Sequence, residues 1–220
     1  MIPLLHDFTD ATVLVVGGGP VGARKARRFA READVVVVSP RFADRDFGDA
    51  DLVRAALEPD PDEIAPWLER LAPALVVAAT DDGAVNDAVA AAARERGALV
   101  NRADRAGERE PGSVVVPATV RDDPVVVSVS TGGRAPALSK HLRRELEADL
   151  EGAGEMAELL AALRTELKSS EVPPARRREI VTDVVTRPDI WTALRTGTAN
   201  ARQVIEDVLA EERSTGGGAP

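Results

Sequence analysis

Four short apolar runs constrain this chain most. Thr12–Val16, Val35–Val38, Leu75–Ala79 and Ala98–Val100 are continuous rather than alternating. A strand written almost entirely in valine, leucine and alanine is buried on both faces. That burial belongs to parallel sheets covered by helices on either side. Helical patterns fill the gaps: Ala23–Arg31, Ile64–Leu71 and the alanine-rich Ala84–Arg96, which ends at Gly97. Strands alternating with helices predict right-handed βαβ units in a doubly wound α/β sheet.

The first run leads into Gly17-Gly18-Gly19-Pro20-Val21-Gly22, and a helix follows. In the Gly17-x-Gly19-x-x-Gly22 spacing the first glycine permits the tight turn. The second admits a pyrophosphate to the backbone, and the third packs helix on strand. With the helix N-terminus supplying amide donors, this predicts a Rossmann-type dinucleotide site with Gly17, Gly19, Pro20, Val21 and Gly22 as contacts. A purely structural turn is the other reading. About 20 positions on, where a carboxylate usually holds the ribose of NAD, stand Ser39, Pro40 and Arg41. By that rule alone Arg41 slightly favours a 2′-phosphate, unless it is a solvated loop residue.

After Asn101 the rhythm changes. Ser113–Val120 and Val125–Ser130 read as strands joined by Arg121-Asp122-Asp123-Pro124, hence an antiparallel hairpin. Pro136 then opens a helix over Ala137–Leu150, with leucines every four residues, and further helices run from Glu155. The expected divisions are 1–112 (parallel sheet), 113–150 (a small α+β hairpin-plus-helix domain), 151–213 (helical) and 214–220 (a glycine-rich disordered tail).

Composition excludes much. The chain has no cysteine and two histidines, His6 and His141, so neither a thiolate nor a multi-histidine metal site is expected. A net charge of −9 argues against a nucleic-acid surface. No stretch approaches the roughly 20 apolar residues of a membrane span, and no signal pattern opens the sequence. A cytoplasmic protein is expected.

Two more segments carry candidate chemistry. Thr80 and Asp81 close the third run at the sheet's carboxyl edge, where they can meet a ribose or nicotinamide; Asp81 or Asp82 can equally cap the next helix. Asn101-Arg102-Ala103-Asp104 ends the fourth run at the same edge. Asp104 can accept a proton there while Arg102 and Arg105 hold an acidic substrate, or it is a plain surface carboxylate. Farther on, Ser130, Gly132, Gly133 and Arg134 offer an anion cradle before a helix, or an ordinary strand-to-helix turn.

Taken in order, Val15–Lys25, Val38-Ser39-Pro40, Ala78-Ala79-Thr80-Asp81-Asp82 with Val85-Asn86, Asn101-x-x-Asp104 and Ser130–Pro136 resemble one family. The family is the precorrin-2 dehydrogenase/sirohydrochlorin ferrochelatase module of siroheme biosynthesis, and a free-standing form without a fused methyltransferase is expected. The resemblance covers about residues 1–150. It implies an NAD-binding Rossmann domain, a central dimerisation domain built on the hairpin and its helix, and a small helical C-terminal domain. It also implies NAD rather than NADP despite Ser39, Asp104 as the catalytic aspartate, a tetrapyrrole substrate, a homodimer, and in some members Fe2+ insertion. Arg102, Arg105 and Arg134, with Ser130, Gly132 and Gly133, are then the groups that meet the substrate's carboxylates. A module that senses NAD(H) without catalysis is the competing expectation from another class.

Overall fold

The computed structural model describes residues 2–105, 110–170, 172–197 and 200–216. Its chain forms two compact units, Met1–Val116 and Pro117–Pro220.

The first unit is a five-stranded sheet, every pair parallel, in the order β3-β2-β1-β4-β5. The strands are β1 (Thr12–Val16), β2 (Asp34–Ser39), β3 (Asp51–Arg54), β4 (Leu75–Ala78) and β5 (Leu99–Arg102). The apolar runs are continuous because both faces are covered. On one side Val13, Val15, Val37 and Val77 pack on Ala23 and Ala26 of α1 (Pro20–Phe29). On the other, Leu14, Val16, Val38 and Val76 meet α2 (Pro61–Leu71) and α3 (Gly83–Glu95). Asp60 caps α2 by accepting from the Asp62 amide, and Asp82 caps α3 by accepting from Ala84 and Val85.

Strand β3 was not anticipated. It is an edge strand, Asp-Leu-Val-Arg, whose side chains are mostly exposed, so no apolar run announces it. The segment 113–116 also departs from expectation. Ser113 bridges Val100 in parallel, and the Val114 amide donates to the Val100 carbonyl at 2.8 Å. Ser113 and Val114 thus touch the edge of the parallel sheet, and the segment belongs to the first unit, which runs on to Val116 rather than ending at 112.

The second unit starts with an antiparallel pair, β6 (Ala118–Asp122) and β7 (Val125–Val129), with Val120 opposite Val127. The turn is shorter than expected, Asp123-Pro124 alone, and its peptide is cis. Helix α4 (Pro136–Asp149) packs on the hairpin. It is followed by α5 (Ala153–Ser169), α6 (Pro174–Thr186), α7 (Pro188–Thr196) and α8 (Ala201–Gly216). Leu159, Leu163, Leu167, Ile180, Val184, Ile190 and Leu194 form their core. Hairpin and C-terminal helices share this one unit: the Gly154 amide at the start of α5 donates to the Asp122 carboxylate at 3.0 Å. Ser214–Gly216, expected in a disordered tail, continue α8; residues 217–220 of that expectation lie outside the described residues.

Candidate functional site

A cavity of about 670 Å³ opens at the carboxyl edge of the parallel sheet, within the range typical of small-molecule sites. The loop between β1 and α1 forms its floor. Ser39–Ala43 and Ala55–Glu58 wall one end, and Ala79–Asp82 the other. All the expected cofactor contacts line it except Gly22.

The glycines divide into two kinds. Gly17 has φ of 119°, and a Cβ there would lie 2.5 Å from the Ala79 carbonyl oxygen; one on Gly22 would lie 1.9 Å from that of Gly17. Those two residues allow the turn and the helix–strand approach. A Cβ on Gly19, by contrast, would meet no protein atom within 4 Å. It would project into open space at the N-terminus of α1, the place a pyrophosphate needs. Gly18, the middle position of the Gly-x-Gly spacing, is also sterically required: its Cβ would come 2.4 Å from the Arg41 carbonyl oxygen. A three-glycine run with no variable middle position is the signal for it.

At the β2 end Ser39 is buried and its hydroxyl donates to the Arg41 carbonyl at 2.7 Å, which fixes the loop. Arg41 is exposed and lines the cavity. At the other end Thr80 is held by Asn86, a fully buried side chain of α3. The Asn86 amide donates to the Thr80 carbonyl at 3.0 Å, and its oxygen accepts from the Thr80 amide at 3.1 Å. Asp82 is the helix cap, so the capping alternative belongs to Asp82, while Asp81 lines the cavity exposed.

Asp104 sits just past β5, at the same carboxyl edge. Arg102 grips it bidentately, Nε to Oδ1 at 2.9 Å and Nη2 to Oδ2 at 2.7 Å, and extends Nη1 to Asp87 of α3. Arg105 joins Asp87 at 2.8 Å and Glu110 at 2.7 Å, and Glu110 also pairs with Arg94. Three arginines thus face three carboxylates, so this segment is electrically balanced. The Arg102 hydrogen bonds, with help from its charge and from Asn86, hold the Asp104 carboxyl below the usual carboxylate range against an opposing effect of burial. The reciprocal contacts raise the Arg102 guanidinium above its ordinary value. Arg102, expected as a substrate clamp, has a side chain only 6% exposed and all three nitrogens engaged. It positions Asp104. Asp87 and Glu110 were not anticipated, because their partners lie 5 to 18 residues away and no periodicity links them.

In the second unit Ser130–Arg134 form a turn with Gly132 and Gly133 at positive φ. Ser130 accepts from the Gly132 amide at 3.3 Å, and Thr131 accepts from the Ala135 amide at 3.2 Å just before α4. Arg134 is exposed and unpaired among the described residues. Among the described residues no cluster of three or more His, Asp and Glu could hold a metal, and no helix is long and apolar enough to cross a membrane.

Two family models match the chain. One, described as putative NAD(P)-binding, covers residues 4–118; the other, sirohaem biosynthesis protein central, covers 122–149. A siroheme synthase of Gluconacetobacter diazotrophicus is 36% identical over 97% of this chain and 46% of its own length. A precorrin-2 dehydrogenase of Methanosarcina barkeri is 30% identical over 86% of this chain and 85% of its own. The chain spans about half the length of the siroheme synthases it matches. The solved structure of SirC, a precorrin-2 dehydrogenase, shares the fold with a TM-score of 0.67 at 23% identity, over 94% of this chain and all of that one. The chain belongs to the precorrin-2 dehydrogenase and siroheme synthase family.

Proposed function

We propose that this chain oxidises precorrin-2 to sirohydrochlorin. The observation that carries the reading is Asp104, held ionised by Arg102 at the sheet edge that also holds the glycine cradle. Gly17–Gly22 would hold the pyrophosphate of NAD+, and the open space at Gly19 fits it. Thr80 and Asp81 line the other end of the cavity and would face the nicotinamide half. Bound NAD+ supplies the hydride acceptor. The chain's own task is to orient the tetrapyrrole and take the proton lost with the hydride. A carboxylate offers about four lone-pair sites and Arg102 occupies two, so Asp104 can still accept a proton. The family resemblance favours NAD+ over NADP+, since Ser39 is turned inward and does not decide it.

The test is to mix the purified protein with precorrin-2 and NAD+ and follow NADH and tetrapyrrole absorbance together. Turnover supports the reading; NAD+ binding without turnover would leave a sensing module. Gly19→Val should abolish NAD+ binding while the protein stays folded, because no protein atom opposes the new side chain. A folded variant with normal NAD+ affinity would remove the cradle assignment. Asp104 is also the group to collect a pyrrole proton if Fe2+ is inserted into sirohydrochlorin, and a metallation assay tests that separately. Arg134 and the Ser130–Gly133 turn are proposed to meet substrate carboxylates.

A homodimer through β6, β7 and α4 and a cytoplasmic location accompany this reading as part of the proposal. Helix α4 buries no residue within its own chain, and Leu138 is 47% exposed. A hairpin packed on a helix that buries none of its own residues wants a second copy. Sedimentation at micromolar concentration should give a dimer, and a monomer would count against it.

A further inference from the structure

The first unit contains a second cavity of about 170 Å³, bordered by Val21, Arg24 and Lys25 of α1, by Asn101–Ala103, and by the segment 113–116. Polar groups there lack partners. Asn101 is 6% exposed; its amide nitrogen donates to the Val114 carbonyl at 2.7 Å, which turns Oδ1 the other way and leaves it unbonded. Arg94 gives Nη1 to Glu110, but Nε and Nη2 are buried without acceptors. Lys25 has no hydrogen bond or ion pair among the described residues. Buried polar groups in native proteins are nearly always satisfied, so several orphans around one cavity point to an absent occupant.

Charge says which kind. Arg24, Lys25, Arg94, Arg102 and Arg105 line the cavity against one carboxylate, Glu110, among the described residues. Arg102 and Arg105 are already compensated; Arg24 and Lys25 have no carboxylate partner among the described residues. Two such cations beside a cavity focus anions there even in a chain of net charge −9.

We propose that this cavity is a carboxylate subsite, anchored by Lys25 with Arg94 and Arg24 beside it, which takes one peripheral carboxylate of the tetrapyrrole. The inference rests on the substrate reading above. The volume accommodates a carboxylate with its methylene arm, since one water takes about 30 Å³. Lys25 has three donors, enough to serve a carboxylate and Asn101 Oδ1 together. Burial first, then Arg28 and Arg24, pushes the Lys25 ammonium down to about 8, a cost that a bound carboxylate would offset. The cavity wall includes Asn101–Ala103, the strand end that leads into Asp104. A carboxylate held there fixes the edge of the ring next to the base.

The experiment compares wild type, Lys25→Met and Lys25→Arg. Met keeps the length and apolar stem, and removes a cation that has no partner to lose among the described residues. With precorrin-2, Lys25→Met should raise KM about tenfold or more, with kcat and NAD+ affinity within about twofold, and Lys25→Arg should restore most of it. An unchanged KM, or a fall in kcat alone, would overturn the subsite. A second arm uses sodium acetate and inorganic phosphate in thermal unfolding, with no turnover required. Stabilisation of wild type that Lys25→Met loses supports an anion site, and equal response overturns it. Phosphate matching acetate while precorrin-2 KM stays unchanged would mark a site for free small anions, also against the proposal. If wild type fails to oxidise precorrin-2, the substrate reading falls and the anion arm alone decides the cavity.

Discussion

Arg102 and Lys25 line the same small cavity, yet the fold treats the two cations in opposite ways. Arg102 is nearly enclosed and each of its nitrogens reaches a carboxylate oxygen. Lys25 is largely desolvated beside two like charges and reaches none among the described residues. Removing a cation from water is repaid only by a good counterion. The first case is closed within the chain and works as scaffold, holding Asp104 in one orientation. The second is open, and an open, partly buried cation destabilises the empty protein in exchange for a ready anion contact. Burial alone therefore does not separate structural from functional charges; the state of the partner does.

The widest gap between the two should come from the acceptor that Arg102 holds. Asp104→Asn keeps the shape but cannot take a proton, and general-base catalysis contributes about 10²–10⁴-fold. Precorrin-2 oxidation should drop by roughly that factor in steady-state assays, with NAD+ affinity unchanged. Wild-type turnover would move the base elsewhere, Asp81 first. Next comes Arg102→Met. Breaking a fully buried pair costs about 3–5 kcal/mol, but here the carboxylates are 27% and 55% exposed, so about 2–3 kcal/mol is expected in denaturant unfolding. The variant also releases Asp104 toward its ordinary carboxylate range. The base must be ionised to act, so the acid limb of kcat/KM should move to higher pH. If it stays put, Arg102 is not what tunes Asp104.

How much of this contrast the chain announces in its letters differs sharply between its parts. The valine runs of β1, β2 and β4 are legible because burial on both faces leaves no polar position, and Gly17, Gly19 and Gly22 because backbone geometry ties each to a spacing. Asp104 is legible as the end of β5. Strand β3 is not, since an exposed edge needs no apolar residues. Val114–Val116 mislead because a valine run suits a hairpin arm as well as an irregular connection that follows a single bridge from Ser113 to β5. The segment 101–105 looks basic because its carboxylate partners, Asp87 and Glu110, come from other stretches. Lys25 hides inside the loop-and-helix motif; only the folded chain places it next to Asn101 and Arg94.

The third test reverses the sign of the second. Lys25→Met should stabilise the protein without substrate. The fall from an ordinary 10.5 to about 8 corresponds to roughly 3 kcal/mol, which partial exposure discounts to about 1–2 kcal/mol. The charged neighbours are Arg24 and Arg28 on α1, and Arg94, Arg102, Arg105 and Glu110 around the cavity. Between about pH 8 and 10.5 the unfolded lysine binds more protons than the folded one, so wild-type stability gains from this group as pH rises through that window. The advantage of Lys25→Met should be full below about pH 8 and gone above 10.5. A variant less stable than wild type at pH 7 would mean that Lys25 has a partner after all.

The smallest effect should come from Glu110, which touches both halves of the comparison. Its side chain is 43% exposed and pairs with Arg94 and Arg105, themselves about a third exposed. Exposed pairs contribute about 0.2–1 kcal/mol, so Glu110→Gln should lower stability by less than about 1 kcal/mol, and by less still in high salt. It is also the one carboxylate lining the cavity among the described residues, so its removal leaves Arg94 and Arg105 freer to meet an incoming anion. If the cavity takes a carboxylate, Glu110→Gln should lower the KM for precorrin-2 by about two- to fivefold while Lys25→Met raises it, because a lost repulsion of that size is worth about 0.4–1 kcal/mol. The double variant should lie between the two. A KM that moves upward in Glu110→Gln would show that Glu110 serves the site by holding Arg94 and Arg105 in place, and the cavity's charge would then be part of the scaffold on the Arg102 side.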